Sequence, residues 1–303
     1  MKRIIIIFIF FHSIIVLNAQ MLKVAAVQLE ISEFTYSSYE QFQLEMEKNV
    51  QQAMETFQPD LIIFPEYTSV FSAATAYFDI IGNSKSMEEI LQKIHGQNRN
   101  ISSLYDLFFH ESVGTEELLT FWGDLAQKYS VTIVGGSYFA SDSDNNRLLN
   151  RLIVYGPRGN RIYEQDKYFL TEFETDIIGL SPGGTEPQKG IVINGKKIVF
   201  TLCRDTFLER WESMYDGADL WIDIKANGEY FCEEQRDLFS RALPERMLDS
   251  HVQYGVTVCL TGHFLDLFWE GESSMIKKIG KEVHTFMKSR NPLSNEILYF
   301  VID

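Results

Sequence analysis

The sequence predicts a single-domain protein of the layered α/β class. Short apolar runs of β-type composition alternate with amphipathic helical patterns along most of the 303 residues, as expected for sheets covered by helices. No long Pro, Gly or Ser linker, internal repeat or low-complexity tract divides the chain after residue 20. The length and a hydrophobic content of 45% are ordinary for one large α/β core.

The predicted helices follow from the spacing of apolar residues. Residues 36–57 and 118–129 place apolar side chains three and four positions apart, which favours amphipathic helices. Ser86 with a glutamate three residues later is a capping pattern for a helix over 86–94. Asp205 is a helix-starting residue type, and apolar residues recur at helical spacing behind it. A helical pattern over 233–253 is interrupted by proline, which indicates two shorter helices.

The predicted strands are short apolar runs that end at turn-forming residues. Pro65 fits the end of the second strand, because proline cannot donate to an interior ladder. Gly135 and Gly136 allow another backbone to approach the third strand closely, and two glycine-containing turns join hairpins. The strands are predicted at 22–28, 61–64, 131–139, 148–155, 161–163, 191–194, 197–202, 220–224, 256–261, 275–279 and 298–303.

The first twenty residues form a separate unit. The basic pair Lys2-Arg3 precedes an apolar run over 4–17, and the small residue Ala19 follows, an order typical of a secretory signal peptide. The run is shorter than the about 20 residues that a membrane-spanning helix needs. We therefore expect residues 1–20 to be a signal peptide and 21–303 to be a secreted or periplasmic protein without a permanent membrane span. A membrane anchor and a mis-assigned start are the weaker alternatives.

The net charge of -15, from 42 acidic and 27 basic residues, argues against binding to a phosphate backbone, so we expect no nucleic-acid partner. The six histidines show no metal-ligand spacing, and we predict no metal and no other cofactor.

Three cysteines, Cys203, Cys232 and Cys259, cannot all pair within the chain. A bridge between Cys232 and Cys259 is one alternative, and two buried unpaired thiols are the other.

Cys203 is the candidate nucleophile. It stands where an apolar β-type run gives way to a polar turn, although a small buried thiol is the commonest state of a free cysteine. Glu66 ends an apolar, buried-strand run, and Lys167 lies just past another β-type segment. A glutamate, a lysine and a cysteine at the ends of three strands can converge at one edge of a sheet. A carboxylate that follows a buried strand also needs a partner or a function.

Four short motifs connect these residues with a known family. They are Phe64-Pro65-Glu66; Lys167 followed by Leu170-Thr171-x-Phe173-Glu174; Leu180-Ser181-Pro182-Gly183; and Cys203-x-Asp205. In this order they resemble the motifs of the carbon-nitrogen hydrolase (nitrilase) superfamily. The resemblance extends from about Met21 to the end of the chain. The resemblance implies a four-layer α-β-β-α sandwich and a homodimer or higher homo-oligomer.

The resemblance also assigns roles to the site residues. Glu66 is implied as general base and then acid, and Cys203 as the nucleophile that forms a thioester. Lys167 is implied to stabilise the oxyanion together with the backbone amide of Arg204. Glu174 matches a second family glutamate that supports the lysine and substrate, although Glu172 lies only two residues away. Arg204 departs from the aromatic residue that many family members carry after the cysteine.

The activity implied is hydrolysis of a small amide or carbamoyl substrate. Acyl transfer to an amine is a second enzymatic alternative within the same family. A secreted binding protein that kept the fold and lost activity is the third, and the intact set of Glu66, Lys167 and Cys203 argues against it.

Overall fold

The computed structural model describes residues 21–111, 115–184 and 189–303. The predicted signal peptide at 1–20 lies outside the described residues. The helices are α1 Tyr39–Phe57, α2 Phe78–Ile81, α3 Met87–Gln97, α4 Leu104–Glu111, α5 Thr115–Tyr129, α6 Arg210–Met214, α7 Glu233–Ser240 and α8 Leu243–Leu248. The strands are β1 Leu22–Ile31, β2 Leu61–Ile63, β3 Thr132–Asp142, β4 Arg147–Tyr155, β5 Arg161–Asp166, β6 Ile191–Ile193, β7 Lys196–Leu202, β8 Leu220–Lys225, β9 Tyr254–Phe264, β10 Leu267–Trp269, β11 Ser274–Ile279, β12 Glu282–Lys288 and β13 Glu296–Ile302.

The strands form two facing sheets that join at one end. In the first sheet β1 pairs antiparallel with β13 and parallel with β2, and the order continues through β3, β4 and β5. In the second sheet the order runs β6, β7, β8, β9, β11 and β12. The last residues of β1 pair with β9, where Leu29 lies opposite Leu260. The two sheets are therefore continuous through β1 and β9.

Three apolar layers hold the sandwich together. Side chains alternate across β1, so that Val24 packs between the two sheets while Ala25 packs under the helices of the first sheet. Trp122 of α5 belongs to that outer layer. On the other side Trp211 and Met247, from α6 and α8, cover the second sheet. This arrangement confirms the predicted four-layer α-β-β-α sandwich as a single domain.

Most predicted elements are present, with shifted ends. Ser86 does begin α3, since its hydroxyl accepts the backbone N–H of Glu89 at 3.2 Å. The pattern over 233–253 resolves into α7 and α8, and Pro244 lies in the first turn of α8 rather than inside a helix, where its missing N–H costs nothing. Helices α2 and α4 and strands β10 and β12 were not predicted. β12 is largely exposed, so it lacks the alternation of apolar and polar residues by which a half-buried strand is recognised in a sequence.

The predicted helix from Asp205 is wrong. The chain makes a 3-10 turn over Cys203–Phe207, becomes extended at Leu208, and only then forms the short α6. Asp205 does not cap this turn, because its carboxylate accepts backbone N–H groups of Tyr168 and Phe169, at 3.3 and 2.6 Å. The carboxylate therefore ties the turn over Cys203–Phe207 to the loop that follows Lys167.

The cysteines are free thiols throughout the described residues, and no bridge joins Cys232 to Cys259. Cys259 is buried as expected, but Cys232 is exposed, so the expectation that both are buried is wrong for Cys232. It immediately precedes α7 on the surface. Among the described helices, none combines the length and apolar composition needed to cross a membrane.

Candidate active site

Glu66 is held in place by the close approach of β3. The loop after β2 carries Glu66, and Tyr67 beside it has a left-handed backbone with φ 65. The N–H of Tyr67 donates to Ser137 Oγ at 2.9 Å. Gly136 has φ +69, and a Cβ placed there would lie 2.1 Å from the carbonyl oxygen of Pro65. The predicted role of the glycine pair, close backbone approach, is therefore met at Gly136.

Lys167 follows β5 and is fixed on both sides of its own backbone. Its N–H donates to the carbonyl oxygen of Asn150 at 2.8 Å, and its carbonyl accepts the N–H of Gly183 at 2.8 Å. A Cβ on Gly183 would lie 2.7 Å from Asp166. The glycine of the motif Leu180-Ser181-Pro182-Gly183 is thus needed for the chain to pass against the base of Lys167.

Glu174 lies in a π-helical turn over Phe173–Ile178. One of its carboxylate oxygens accepts the backbone N–H and the hydroxyl of Thr171, at 2.8 and 3.1 Å. Glu174 is buried, whereas Glu172 is exposed and lines the neighbouring pocket. Of the two glutamates that sequence analysis could not separate, it is Glu174 that contacts Lys167.

The three charged side chains form one buried network. Lys167 Nζ lies 2.9 Å from Glu66 Oε1 and 2.8 Å from Glu174 Oε2. Asn150 Nδ2 donates to both carboxylates, at 2.9 and 3.0 Å. The second oxygen of Glu66 accepts the backbone N–H of Ala226 at 3.0 Å. Every carboxylate oxygen in the network is therefore hydrogen-bonded, as buried charge requires.

The network gives its members different protonation tendencies. Burial would lower the pKa of Lys167, but the carboxylates of Glu66 and Glu174 outweigh it and raise that pKa well above the usual value. Burial would likewise raise the pKa of Glu174, yet Lys167 and the Thr171 amide hold it below the usual range. Burial raises the pKa of Glu66 despite Lys167, and the charge of Glu174 adds to that rise. Glu66 is thus the carboxylate in the site suited to take up a proton.

Cys203 stands at the end of β7 with a left-handed backbone, φ 50, which is unfavourable for a residue with a Cβ. It is half-buried and lines a pocket of about 480 Å³ together with Lys167 and Tyr67. Burial, followed by the nearby charge of Glu66, raises the pKa of its thiol to about 12. Glu66, Lys167 and Cys203 therefore come together at one end of the sandwich.

Arg204 also lines this pocket, but its guanidinium is already engaged. Nη1 donates to the carbonyl oxygen of Leu170 at 2.7 Å, and the group lies over the ring of Phe169 at 4.3 Å. Its side chain therefore ties the turn over Cys203–Phe207 to the loop between Lys167 and Glu174.

Three functional neighbours were missed by sequence analysis. Asn150 joins the two glutamates from within β4, and Asp223 and Lys225 form a buried pair on β8 beside Cys203. The available signal was a polar residue inside an otherwise apolar strand, because such a residue must find a partner when buried. Within the described residues no group of His, Cys, Asp and Glu side chains has the arrangement of a metal site.

Comparison with known proteins gives a family and a set of related folds. The carbon-nitrogen hydrolase family model matches residues 23–241. No curated protein sequence matches the chain. A carbon-nitrogen hydrolase from Helicobacter pylori G27 is 16% identical with a TM-score of 0.69, covering 94% of this chain and 90% of that chain. Nit3 of Saccharomyces cerevisiae, a member of branch 10 of the nitrilase superfamily, is 20% identical with a TM-score of 0.63 and coverage of 94% and 90%.

A third similar structure is a double mutant of the amidase from Nesterenkonia sp. AN1 in complex with acrylamide. It is 12% identical, with a TM-score of 0.66 and coverage of 94% of this chain and 92% of that chain. At such identities the structural likeness shows the fold. The family match spans most of the sequence, and the chain therefore belongs to the carbon-nitrogen hydrolase family.

Proposed function

We propose that this protein hydrolyses the carbon–nitrogen bond of a small amide or carbamoyl compound through Cys203, Glu66 and Lys167. The observation that carries the proposal is the shared pocket of Cys203 and Lys167, with Glu66 ion-paired to that lysine at 2.9 Å. A nucleophile, a proton acceptor and a fixed positive charge are the groups that acyl transfer requires.

In the proposed reaction Cys203 Sγ attacks the carbonyl carbon while its proton passes to Glu66. The oxygen of the tetrahedral intermediate faces the Lys167 ammonium and the backbone N–H of Arg204. Glu66 then returns the proton to the nitrogen, and the carbon–nitrogen bond breaks to release ammonia or an amine and leave a thioester on Cys203. Water, deprotonated by Glu66, attacks the thioester and regenerates the thiol. Glu174 and Asn150 hold Lys167 and Glu66 in position by the contacts described above.

Small uncharged amides are the first compounds to test. A single mutant of the Nesterenkonia amidase has also been solved with the acetamide moiety of fluoroacetamide added at its active-site cysteine, which supports that choice for a protein of the same fold. Ammonia release from a panel of amides, nitriles and N-carbamoyl compounds is the direct measurement. Analysis of the acyl product in the presence of added amine separates hydrolysis from acyl transfer.

Replacing any of the three proposed catalytic groups is expected to abolish turnover without unfolding the protein. Cys203→Ala, Cys203→Ser, Lys167→Ala and Glu66→Gln should each lower kcat by about 10³-fold or more, because the groups act as one unit. Cys232→Ser, at the exposed cysteine, is the matched control and should keep full activity. Near-normal activity of Cys203→Ser, or a trapped acyl group on Cys232 or Cys259, would show that the site is assigned wrongly.

We also propose export from the cytoplasm, on the strength of the basic pair and apolar run at the start of the chain. The protein recovered from its host should lie outside the cytoplasm and begin near Gln20 or Met21. N-terminal sequencing of fractionated cells measures this. Cytosolic protein that retains Met1 would contradict it.

A further inference from the structure

Two oppositely charged residues of β8 are buried beside the proposed nucleophile. Lys225 Nζ lies 2.9 Å from Asp223 Oδ2, and the side chains are 1% and 0% exposed. The ammonium also lies 5.3 Å from the ring of Phe207 and 5.0 Å from that of Phe239. A buried ion pair is costly to desolvate and is often replaceable by apolar residues without loss of stability. General stability therefore does not explain why this ion pair is buried beside Cys203, and its contacts there must be considered.

The pair is linked to the backbone of Cys203 through Lys225. Lys225 Nζ donates to the carbonyl oxygen of Cys203 at 3.2 Å, and burial raises the pKa of Asp223 against the opposing influence of Lys225 and of the Cys203 backbone. The hydroxyl of Thr206, in the same turn, donates to Thr201 Oγ1 at 2.9 Å, and the Thr201 hydroxyl donates to Asp223 Oδ1 at 3.5 Å. One buried ion pair therefore acts on the Cys203 turn from β8, Lys225 through a hydrogen bond to the Cys203 carbonyl and Asp223 through its contact with Lys225.

The strand register explains why a side chain, rather than a neighbouring backbone, binds the Cys203 carbonyl. β7 and β8 run parallel, and their last paired residues are Leu202 and Ile224. Cys203 turns away from the ladder with φ 50, so its amide and carbonyl leave the regular pattern at the edge of a buried sheet. Lys225, next to Ile224, supplies a donor to the Cys203 carbonyl, and Asp223, on the other side of Ile224, holds the Lys225 ammonium at 2.9 Å.

We propose that Asp223 and Lys225 are positioning residues that hold Cys203 in its left-handed conformation and balance the charge around its sulfur. The inference rests on the proposed function in taking Cys203 as the nucleophile. The positive charge of Lys225 favours the thiolate and the negative charge of Asp223 opposes it. A pair that is only structural would stabilise the fold without this opposite action on the thiol.

Within the described residues, the charged and titratable groups around Cys203 include the pair itself and four others. Those acting on its thiol, or acted on by it, come from the loop after β2, the segment around Lys167 and strands β8 and β9. They are Glu66, Tyr67, Lys167, Asp223, Lys225 and Cys259. The test must therefore alter one member of the pair at a time and leave these others in place.

The experiment measures the rate at which iodoacetamide modifies Cys203, followed by mass spectrometry of the peptide that carries it. Because a change of one unit in thiol pKa alters the thiolate fraction tenfold, we expect Lys225→Met to slow modification at about pH 9 by about 3- to 10-fold. Asp223→Asn should accelerate it by a similar factor. The double variant Asp223→Asn/Lys225→Met should return towards the original rate, yet with lower kcat and nearly unchanged KM, because the carbonyl of Cys203 has lost its donor.

Lys278→Met is the matched control. Lys278 also donates to backbone carbonyls, those of Met247, Leu248 and Ser250 near the end of α8, so its loss should lower the melting temperature without moving the modification rate of Cys203. If Lys225→Met does not fold, the double variant carries the test, since it leaves no unpaired buried charge.

Equal shifts in one direction for both single variants, or shifts no larger than in Lys278→Met, would overturn the inference. So would a double variant with unchanged kcat. Opposite shifts without turnover of any amide would support the positioning role while contradicting the proposed function. Turnover without those shifts would leave the function standing and remove the inference alone.

Discussion

The thiol of Cys203 is held in its protonated form by the surroundings of the site. Burial and the carboxylate of Glu66 raise its pKa to about 12, against the opposing charges of Lys167 and Lys225. A neutral thiol is a weak nucleophile, so the proposed attack by Cys203 requires removal of its proton. The raised pKa of Glu66 brings its proton affinity closer to that of the thiol, which favours transfer during attack.

This balance makes Glu66→Gln act in opposite senses on two reactions of one sulfur. Removing the carboxylate removes a charge that raises the thiol pKa, so that pKa falls and the thiolate fraction at about pH 8 rises. Iodoacetamide, which needs only thiolate, should modify Cys203 severalfold faster, about 3- to 10-fold for a fall of half to one unit. Amide hydrolysis, which needs the proton acceptor, should be lost in the same variant.

Glu172→Gln is the control for that measurement, because Glu172 is an exposed carboxylate of the same pocket. Water screens its charge, and the modification rate should change by less than about twofold. Slower modification in Glu66→Gln than in the original protein would mean that Glu66 assists alkylation directly and that the charge argument is wrong.

The residues of the site differ in how far the sequence could identify them. Glu66 and Cys203 each follow an apolar run and Lys167 follows a β-type segment, so a meeting at strand ends was predictable. The expectation of one sheet edge was wrong, because β7 lies in the sheet that faces β2 and β5. Asn150, Asp223 and Lys225 lie inside strands, where the sequence signals a need for partners but cannot say which partners the sheet brings near. The exposed state of Cys232 was missed because local composition does not reveal which side of a chain faces solvent.

At the scale of elements, the site is built from turns after β2, β5 and β7 that regular patterns do not describe. Tyr67 and Cys203 are left-handed, with φ 65 and 50, and neither is a glycine that would have signalled the turn. The sequence could predict the strands, because their apolar alternation reflects burial on a sheet. It could not predict the break at Leu208, since the apolar spacing of the 3-10 turn and α6 matches that of one continuous helix.

Gly136→Ala tests whether β3 positions the Glu66 turn. With φ +69 and a Cβ 2.1 Å from the Pro65 carbonyl oxygen, alanine must displace that turn. We expect a loss of about 1–3 kcal/mol in the free energy of unfolding and a fall in kcat larger than the change in KM. Chemical denaturation and steady-state kinetics measure both.

Gly96→Ala is the matched change. Gly96 lies inside α3, and a Cβ there would meet nothing within 4 Å, so alanine should stabilise the protein by up to about 1 kcal/mol with activity unchanged. A Gly136→Ala protein with full stability and full kcat would show that the turn tolerates movement and that β3 does not set the position of Glu66.

At the scale of the whole molecule, negative charge predominates both over the protein and among the side chains that line the pocket. The net charge is -15, and three carboxylates line the pocket, those of Glu172, Glu229 and Asp266. Arg204 is a positive residue of the lining whose guanidinium already binds the Leu170 carbonyl and the Phe169 ring. A negatively charged substrate would therefore meet repulsion during approach and at the entrance.

We accordingly expect amides that carry an ammonium group to have a higher kcat/KM than otherwise matched amides that carry a carboxylate, by about 10-fold or more at low salt. The ratio should shrink as ionic strength rises, because the Debye length falls from about 30 Å at 0.01 M to about 8 Å at 0.15 M. Glu229→Gln should reduce the ratio, since it removes one carboxylate of the pocket lining. Glu117→Gln, at an exposed glutamate that lines a different surface pocket, leaves the same net charge as Glu229→Gln and should reduce the ratio less. Equal effects of the two variants would mean that the overall charge of the protein causes the preference. If the carboxylate-bearing amide were the better substrate, neither the pocket charge nor the overall charge would explain the preference.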